Sequence, residues 1–274
     1  MDERIEEPAD AGVAVVTAPD HHNRRVLFAL VALGFLASLA TMPFVAALRS
    51  SLPGGDAIPS FGFGRALLFA AIETLLFTLP LAGLGLATLP KTGLPGAPLL
   101  RAFFARDAAS PRPILTGLAQ GTAIGFGVAL LLGGLDAALP SMKPIVEIEL
   151  PSWWQGLLAS FGAGVREEIW FRWGILTAVT RALVAVKRSE SAANWMFWTA
   201  NVVAALLFGA IHIPQAYSFV EVTPAAVAMV VGGNAVAGLG FGWVYRRKGL
   251  EAAMAAHMAT DIVLHVILPA VSPS

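Results

Sequence analysis

Four charged residues occur within seven positions of an otherwise apolar segment, GVREEIWFRWG: Arg166, Glu167, Glu168 and Arg172. A charged side chain at the centre of a membrane helix costs about 2.5 to 3.5 kcal/mol, so these groups need partners or a function. Glu168 and Arg172 are four residues apart with the acid first, which favours an ion pair on one helix face. Glu167 is rotated by about 100° from that face. Because adjacent glutamates should not reach one point, we assign Glu168 and Arg172 to a structural ion pair and Glu167 to a pocket.

Histidines and an aspartate interrupt two later apolar segments. His212 follows an apolar run and precedes Pro214, which lacks a backbone N–H and can bend a helix. His257 and Asp261 are four residues apart in AAHMATDIVLH, so they share one helix face. An aspartate inside a membrane span needs a partner, and His257 is the available one. His265 continues the same stripe, and we interpret it as a residue that meets lipid headgroups.

The composition places these residues in a membrane. The chain is 57% hydrophobic and 13% charged, whereas about a quarter of the residues of a soluble protein are charged. A membrane span needs roughly 20 apolar residues. Seven segments qualify: 26–48, 66–89, 114–135, 153–179, a stretch within 195–220, 223–244 and 251–270. We therefore predict an all-α fold, a polytopic transmembrane helical bundle of about seven spans, or eight with a surface or re-entrant helix.

Three regions follow from the distribution of ionisable residues. We predict a disordered polar N-terminal tail at 1–25, scaffold membrane helices at 26–140 and a catalytic core at 141–274, since nearly all ionisable residues within the spans follow residue 140. In the loop 91–113, LLRAFFAR is either a short amphipathic helix or an ordinary connection. Glu73, in the second span, is interpreted as structural, either paired with a loop arginine or hydrogen-bonded in its neutral form.

Charge and cysteine content narrow the function classes. There is no cysteine, which excludes disulfides, thiolate metal sites and cysteine nucleophiles. The net charge is zero, so bulk electrostatics gives no argument for nucleic acid, and we expect no nucleic-acid partner. The basic loop residues concentrate on one side, and the other side has Arg49, Arg65 and Lys143. The expected topology is a cytoplasmic N-terminus and an external C-terminus in the plasma (inner) membrane.

Three motifs occur in order in the second half of the chain, each within an apolar segment. They are Glu167-Glu168-x-x-x-Arg172, Phe208-x-x-x-His212 and His257-x-x-x-Asp261. Together they resemble the CAAX prenyl protease and bacteriocin-processing family of intramembrane endopeptidases, also called the type II CAAX endopeptidases, over roughly residues 151–268. Each motif alone is short, but the ordered set is specific. The resemblance implies a membrane-embedded helical core and a membrane-anchored or prenylated peptide substrate.

The resemblance also implies catalytic roles. Glu167 and His212 would activate a water without an obligatory metal, and His257 and Asp261 would support the oxyanion. Many relatives have Asn where this chain has Asp261, and an ionised aspartate cannot donate a hydrogen bond. We therefore expect Asp261 to orient or charge His257, which remains the donor. No cofactor is expected.

General chemistry agrees with that assignment. Peptide hydrolysis needs a base that takes a proton from water, donors for the developing oxyanion and an acid for the leaving amine. Glu167 can serve as the base, and His212 can share the water or protonate the amine. For these two residues to meet, we prefer a fifth span at 201–220 that bends at Pro214, which brings His212 to the depth of Glu167.

Other functions fit the same residues. Glutamate, aspartate and two histidines could bind zinc in an intramembrane metalloprotease, although no H-E-x-x-H motif is present. Buried Glu, His and Asp chains also occur in transporters and proton relays, but many transporters have two similar halves, which this chain lacks. The third alternative is a non-catalytic membrane scaffold or bacteriocin-immunity protein.

Overall fold

The computed structural model describes residues 20–50, 52, 62–105, 112–139, 142–147 and 149–271. Within these residues no strand is present, and the predicted all-α fold is confirmed. The eight helices are α1 (Asp20–Ser50), α2 (Phe63–Thr88), α3 (Pro98–Ala105), α4 (Arg112–Ala138), α5 (Trp153–Val186), α6 (Asn194–Ala210), α7 (Pro224–Lys248) and α8 (Leu250–Val271).

Within the described ranges, seven segments are long and apolar enough to cross a membrane: every helix except α3, with α6 taken together with the short helical turn that follows it to Ala216. These seven helices coincide with the seven predicted segments, so the chain is a multi-pass membrane protein. The loop 91–113 contains the short helix α3, so LLRAFFAR lies largely in a helix rather than in an ordinary connection. This helix packs at the start of α8, where the backbone N–H of Leu100 donates to Oε1 of Glu251 at 3.0 Å.

Two sequence expectations need correction. Residues 1–19 of the predicted tail lie outside the described residues, but α1 begins at Asp20, so residues 20–25 are helical. The bounds of the preferred fifth span, 201–220, are also wrong, because the span runs from Asn194 to Ala216. Its helix α6 ends at Ala210, and a turn at Ile211 and His212 separates it from a short helical turn, Ile213–Ala216. Pro214 lacks an N–H and cannot bond to the carbonyl of Ala210, and it lies in the first turn of the segment Ile213–Ala216, where that N–H is not needed.

Small residues allow α4 and α8 to approach closely. A Cβ added to Gly121 would meet the backbone carbonyl oxygen of Ala252, and one added to Gly125 would meet that of Ala256. Membrane helices that associate through such residues gain van der Waals contact between their backbones. Because α8 also contains His257, this contact sets the position of that histidine in the bundle.

The N-terminal helices pack directly on α5. Nε1 of Trp173 in α5 donates to the carbonyl of Ala82 in α2 at 2.8 Å. Nε2 of Gln155, at the start of α5, donates to the carbonyl of Pro43 in α1 at 3.1 Å. The division of the chain near residue 140 stays a prediction, but helices from before and after this residue pack directly against each other.

The contact between α4 and α8 predicts opposite effects for two alanine substitutions in one helix. Gly125→Ala is expected to lower the melting temperature of the detergent-solubilised protein, because the new Cβ meets backbone rather than a flexible side chain. At Gly127, an added Cβ meets nothing within 4 Å. Since glycine inside a helix costs roughly 0.5–1 kcal/mol relative to alanine, Gly127→Ala should leave the melting temperature unchanged or raise it. A Gly125→Ala protein at least as stable as wild type in differential scanning fluorimetry would contradict the close approach.

Candidate active site

Glu167 and Glu168 lie where α5 changes its helical geometry. They end its first α-helical part, and a π-helical segment, Ile169–Leu176, follows directly. Such segments are rare and occur frequently at functional sites. Both glutamates are buried, with 7% of Glu167 and 0% of Glu168 exposed. Two adjacent carboxylates are therefore held in the interior of the bundle, where each needs a partner.

Glu168 has partners on two helices. Its Oε1 lies 3.0 Å from Nη1 of Arg172, so the predicted i,i+4 ion pair is present. The same oxygen accepts a hydrogen bond from Nδ1–H of His257 in α8 at 2.9 Å. Glu168 therefore also orients a histidine, a contact that the assignment to a purely structural pair did not include.

Two phenylalanines enclose Arg172. Its guanidinium carbon lies 4.7 Å from the ring centroid of Phe208 and 5.4 Å from that of Phe241. Nη2 donates to the carbonyl of Gly238 at 3.0 Å. A Cβ on Gly238 would lie 3.1 Å from Nη2, so glycine makes room for the guanidinium. The aromatic faces and Glu168 together offset the cost of burying this charge.

His257 faces three carboxylates. While Nδ1 is bound to Glu168, Nε2 lies 3.6 Å from Oδ2 of Asp261 and 4.0 Å from Oε2 of Glu167. The ring stacks on Phe241 with 4.7 Å between centroids. The adjacent glutamates do not reach the same atom, but both face the same imidazole, because it presents a different nitrogen to each of them.

The distances also change the expected role of Asp261. A separation of 3.6 Å is too long for a hydrogen bond, whereas Glu168 is within hydrogen-bond distance of His257. The orienting contact expected of Asp261 therefore comes from Glu168. Asp261 remains beside Nε2, where its charge acts on the imidazole.

His212 lies in the turn after α6 and is half-buried. Its Nδ1–H donates to the carbonyl of Phe208 at 2.7 Å. Because a carbonyl can only accept, the neutral ring leaves Nε2 unprotonated and able to accept a proton. No hydrogen bond or ion pair between described residues joins His212 to Glu167.

Phe208 explains how the second motif reaches the third. Its ring is in edge-on contact with His212, at 5.0 Å between centroids, and with His257, at 5.5 Å. The phenylalanine one turn before His212 therefore connects the two histidines, which are not in direct contact.

Arg166 and Glu73 form a part of the site that sequence reasoning missed. Nη2 of Arg166 donates to Oε1 of Glu167 at 3.1 Å, and Nη1 lies 3.4 Å from Oε1 of Glu73. Glu73 is therefore paired with an intramembrane arginine rather than a loop arginine, and Glu167 does have a charged partner. The sequence signal for this pair was the presence of an acidic residue, Glu73, and a basic residue, Arg166, in two different apolar spans.

His265 and the metal alternative lie apart from this cluster. His265 is exposed, and its ring contacts Phe44 with 5.7 Å between centroids. Among the residues that the structure describes, no three or more His, Asp or Glu side chains are arranged to hold a metal ion. The expectation of a cofactor-free site stays a prediction.

Comparison with known proteins supports the family suggested by the motifs. No curated protein and no solved structure matches the chain significantly. Residues 149–263, which contain all three motifs, match the family described as type II CAAX prenyl endopeptidase, Rce1-like. The match confirms the resemblance and, at the level of the family, supports a CAAX-type intramembrane protease.

Proposed function

We propose that the protein is an intramembrane endopeptidase in which Glu167 and His212 activate a water that hydrolyses a peptide bond. The observation that carries this proposal is the convergence of the three motifs on one buried cluster. Glu167 and Glu168 face different nitrogens of His257, and Phe208 links His212 to the same ring. The family match over 149–263 supports the reaction class.

Glu167 has one oxygen available for proton transfer. Oε1 accepts from Arg166, whereas Oε2 is buried and has no hydrogen-bond partner among the described residues. In the proposed reaction, Oε2 takes a proton from water while the water oxygen bonds to the carbonyl carbon of the substrate. Nε2 of His212, when neutral, accepts a hydrogen bond from the same water and helps to orient it.

His257 supplies the donor for the oxyanion. Nδ1–H is bound to Glu168, so a ring that carries both protons presents Nε2–H to the substrate oxygen. The distances of 3.6 and 4.0 Å to Asp261 and Glu167 are too long for either carboxylate to occupy that donor. The C–N bond then breaks, and the leaving nitrogen takes the proton that Glu167 removed from the water, either directly or relayed through Nε2 of His212, giving a carboxylic acid and an amine and restoring both residues.

The proposed substrate is a membrane-anchored or prenylated peptide or protein. This choice rests on the family description and on a site built inside membrane-crossing helices. The concentration of basic loop residues supports a cytoplasmic N-terminus in the plasma membrane.

Removing either proposed proton-transfer group should slow the chemical step. Glu167→Gln and His212→Ala are each expected to lower kcat by about 10²- to 10⁴-fold, the usual contribution of general acid–base catalysis. The assay is cleavage of a farnesylated fluorogenic peptide with a C-terminal CAAX sequence in proteoliposomes. His265→Ala is the control, because this histidine is exposed and outside the cluster, and it should retain wild-type activity. Near-normal kcat for Glu167→Gln would remove the proposed base.

The shared contact of Glu168 predicts that stability and activity can be separated. Glu168→Gln leaves Arg172 buried without its charge partner, which typically costs about 3 to 5 kcal/mol. In the double variant Glu168→Gln/Arg172→Met both charges are absent, so the melting temperature should recover in part. Activity should not recover, because Nδ1 of His257 still lacks its carboxylate. Recovery of kcat along with stability would mean that Glu168 acts through the ion pair alone.

Metal removal distinguishes the zinc-dependent alternative. If glutamate and histidine activate the water, dialysis against EDTA or 1,10-phenanthroline should leave the rate of peptide cleavage unchanged. The measurement compares treated protein with and without added zinc in the same proteoliposomes. Loss of cleavage on chelation, followed by recovery with zinc, would replace the proposed mechanism with a metal-dependent one.

A further inference from the structure

A carboxylate from outside the three motifs reaches the proposed base through one arginine. Glu73 lies on α2, and Oε1 of Glu73 is 3.4 Å from Nη1 of Arg166, whose Nη2 donates to Glu167 at 3.1 Å. The side chains of all three residues are nearly buried, with 12%, 12% and 9% exposed for Glu73, Arg166 and Glu167. Glu73 also lies outside residues 149–263, the range of the family match.

The same part of α2 fixes the guanidinium from a second direction. Arg166 lies over the ring of Trp170, at 5.2 Å from the centroid. Nε1 of Trp170 donates to Oγ1 of Thr78 at 3.0 Å, and Thr78 ends a π-helical segment that begins directly after Glu73. The hydroxyl of Ser38 in α1 donates to the Glu73 carboxylate. Arg166 is thus held between the carboxylate of Glu73, which belongs to α2, and the ring of Trp170, which is hydrogen-bonded to α2.

We propose that Glu73 is a positioning residue for the peptidase, acting on Glu167 through Arg166. This inference rests on the proposed function. Glu73 holds one edge of the guanidinium, so the other edge engages Oε1 of Glu167 and Oε2 remains directed at His257. Glu73 also shares the positive charge, which limits how strongly Arg166 attracts the base. Without Glu73, only the contact with the ring of Trp170 limits the rotation of the guanidinium, and its whole charge acts on Glu167.

A purely structural ion pair makes a different prediction. If Glu73 and Arg166 only stabilise the packing of α2 on α5, their loss lowers the melting temperature and the yield of folded protein. The turnover of each folded molecule then stays normal. A positioning residue instead changes kcat, because misplacement of a catalytic group by about 1 Å can cost up to 10²-fold in rate.

The experiment measures kcat and KM for Glu73→Gln in proteoliposomes, with the farnesylated fluorogenic CAAX peptide as the probe. The expected result is a kcat lower by about 10- to 100-fold with KM within about twofold, normalised to folded protein. Glu73→Asp keeps the charge and should recover part of the loss. In the Arg166→Gln background, adding Glu73→Gln should have little further effect, since both substitutions break one chain of contacts.

Glu251→Gln is the matched control. It removes another carboxylate from the bundle, a half-buried one that accepts from the backbone of Leu100 rather than from Arg166. It should lower stability while kcat stays within about twofold of wild type, as expected for a contact away from the reacting atoms. A normal kcat for folded Glu73→Gln, or an equal loss in Glu251→Gln, would overturn the positioning role.

Two further variants keep the outcomes distinct. Glu167→Gln in the same assay tests the proposed function: if it remains active, the peptidase mechanism itself fails, whereas inactive Glu167→Gln with normal Glu73→Gln rejects only the role of Glu73. If Glu73→Gln does not fold, Arg166→Lys tests the bridge from the other side. A lysine ammonium keeps the charge but lacks the two-edged fork of arginine, so a wild-type kcat for Arg166→Lys would also overturn the inference.

Discussion

The carboxylate of Glu168, shared between Arg172 and His257, is the constraint on which the rest of the site depends. These three groups are buried among apolar helices, where an unpaired charge costs several kcal/mol. Their contacts fix the rotation of α5 relative to α8, because Glu168 must face His257 while Arg172 reaches the carbonyl of Gly238 in α7. The close packing of α4 on α8 and the absence of a side chain at Gly238 are conditions for this arrangement.

Sequence reasoning predicted the features that depend on one helix at a time. Hydropathy predicted the seven spans, since span length follows from bilayer thickness, and i,i+4 spacing predicted the pair of Glu168 and Arg172. Contacts between helices were harder to predict from the sequence. Periodicity defines a face on each helix but not its depth or rotation against a neighbour, so the reach of both glutamates to His257 and the bond from Arg166 to Glu73 were missed. The end of α6 before Pro214 was missed because a proline can either bend or end a helix.

Aromatic contacts of Phe208 connect the second motif to the rest of the site. Phe208 contacts Arg172 with its face and His212 and His257 at edge-on geometry, and its own carbonyl fixes the ring of His212. Phe241 stacks on His257 from the other helix. These rings exclude polar competitors from around the charged groups, which strengthens the electrostatic interactions among them. The phenylalanine is therefore as much a part of the site geometry as the histidine four residues later.

The charge balance of the cluster links its structure to the proposed hydrolysis. The carboxylates of Glu73, Glu167, Glu168 and Asp261 are joined through direct ion-pair contacts to the guanidiniums of Arg166 and Arg172 and to the ring of His257. Four acids and two guanidiniums leave two negative charges, which a membrane interior tolerates poorly. Two protons held within the cluster would make it neutral. The proposed hydrolysis moves one proton from water and one to an amine, so Glu167, which takes part in this charge balance, is also the group proposed to exchange protons with the substrate.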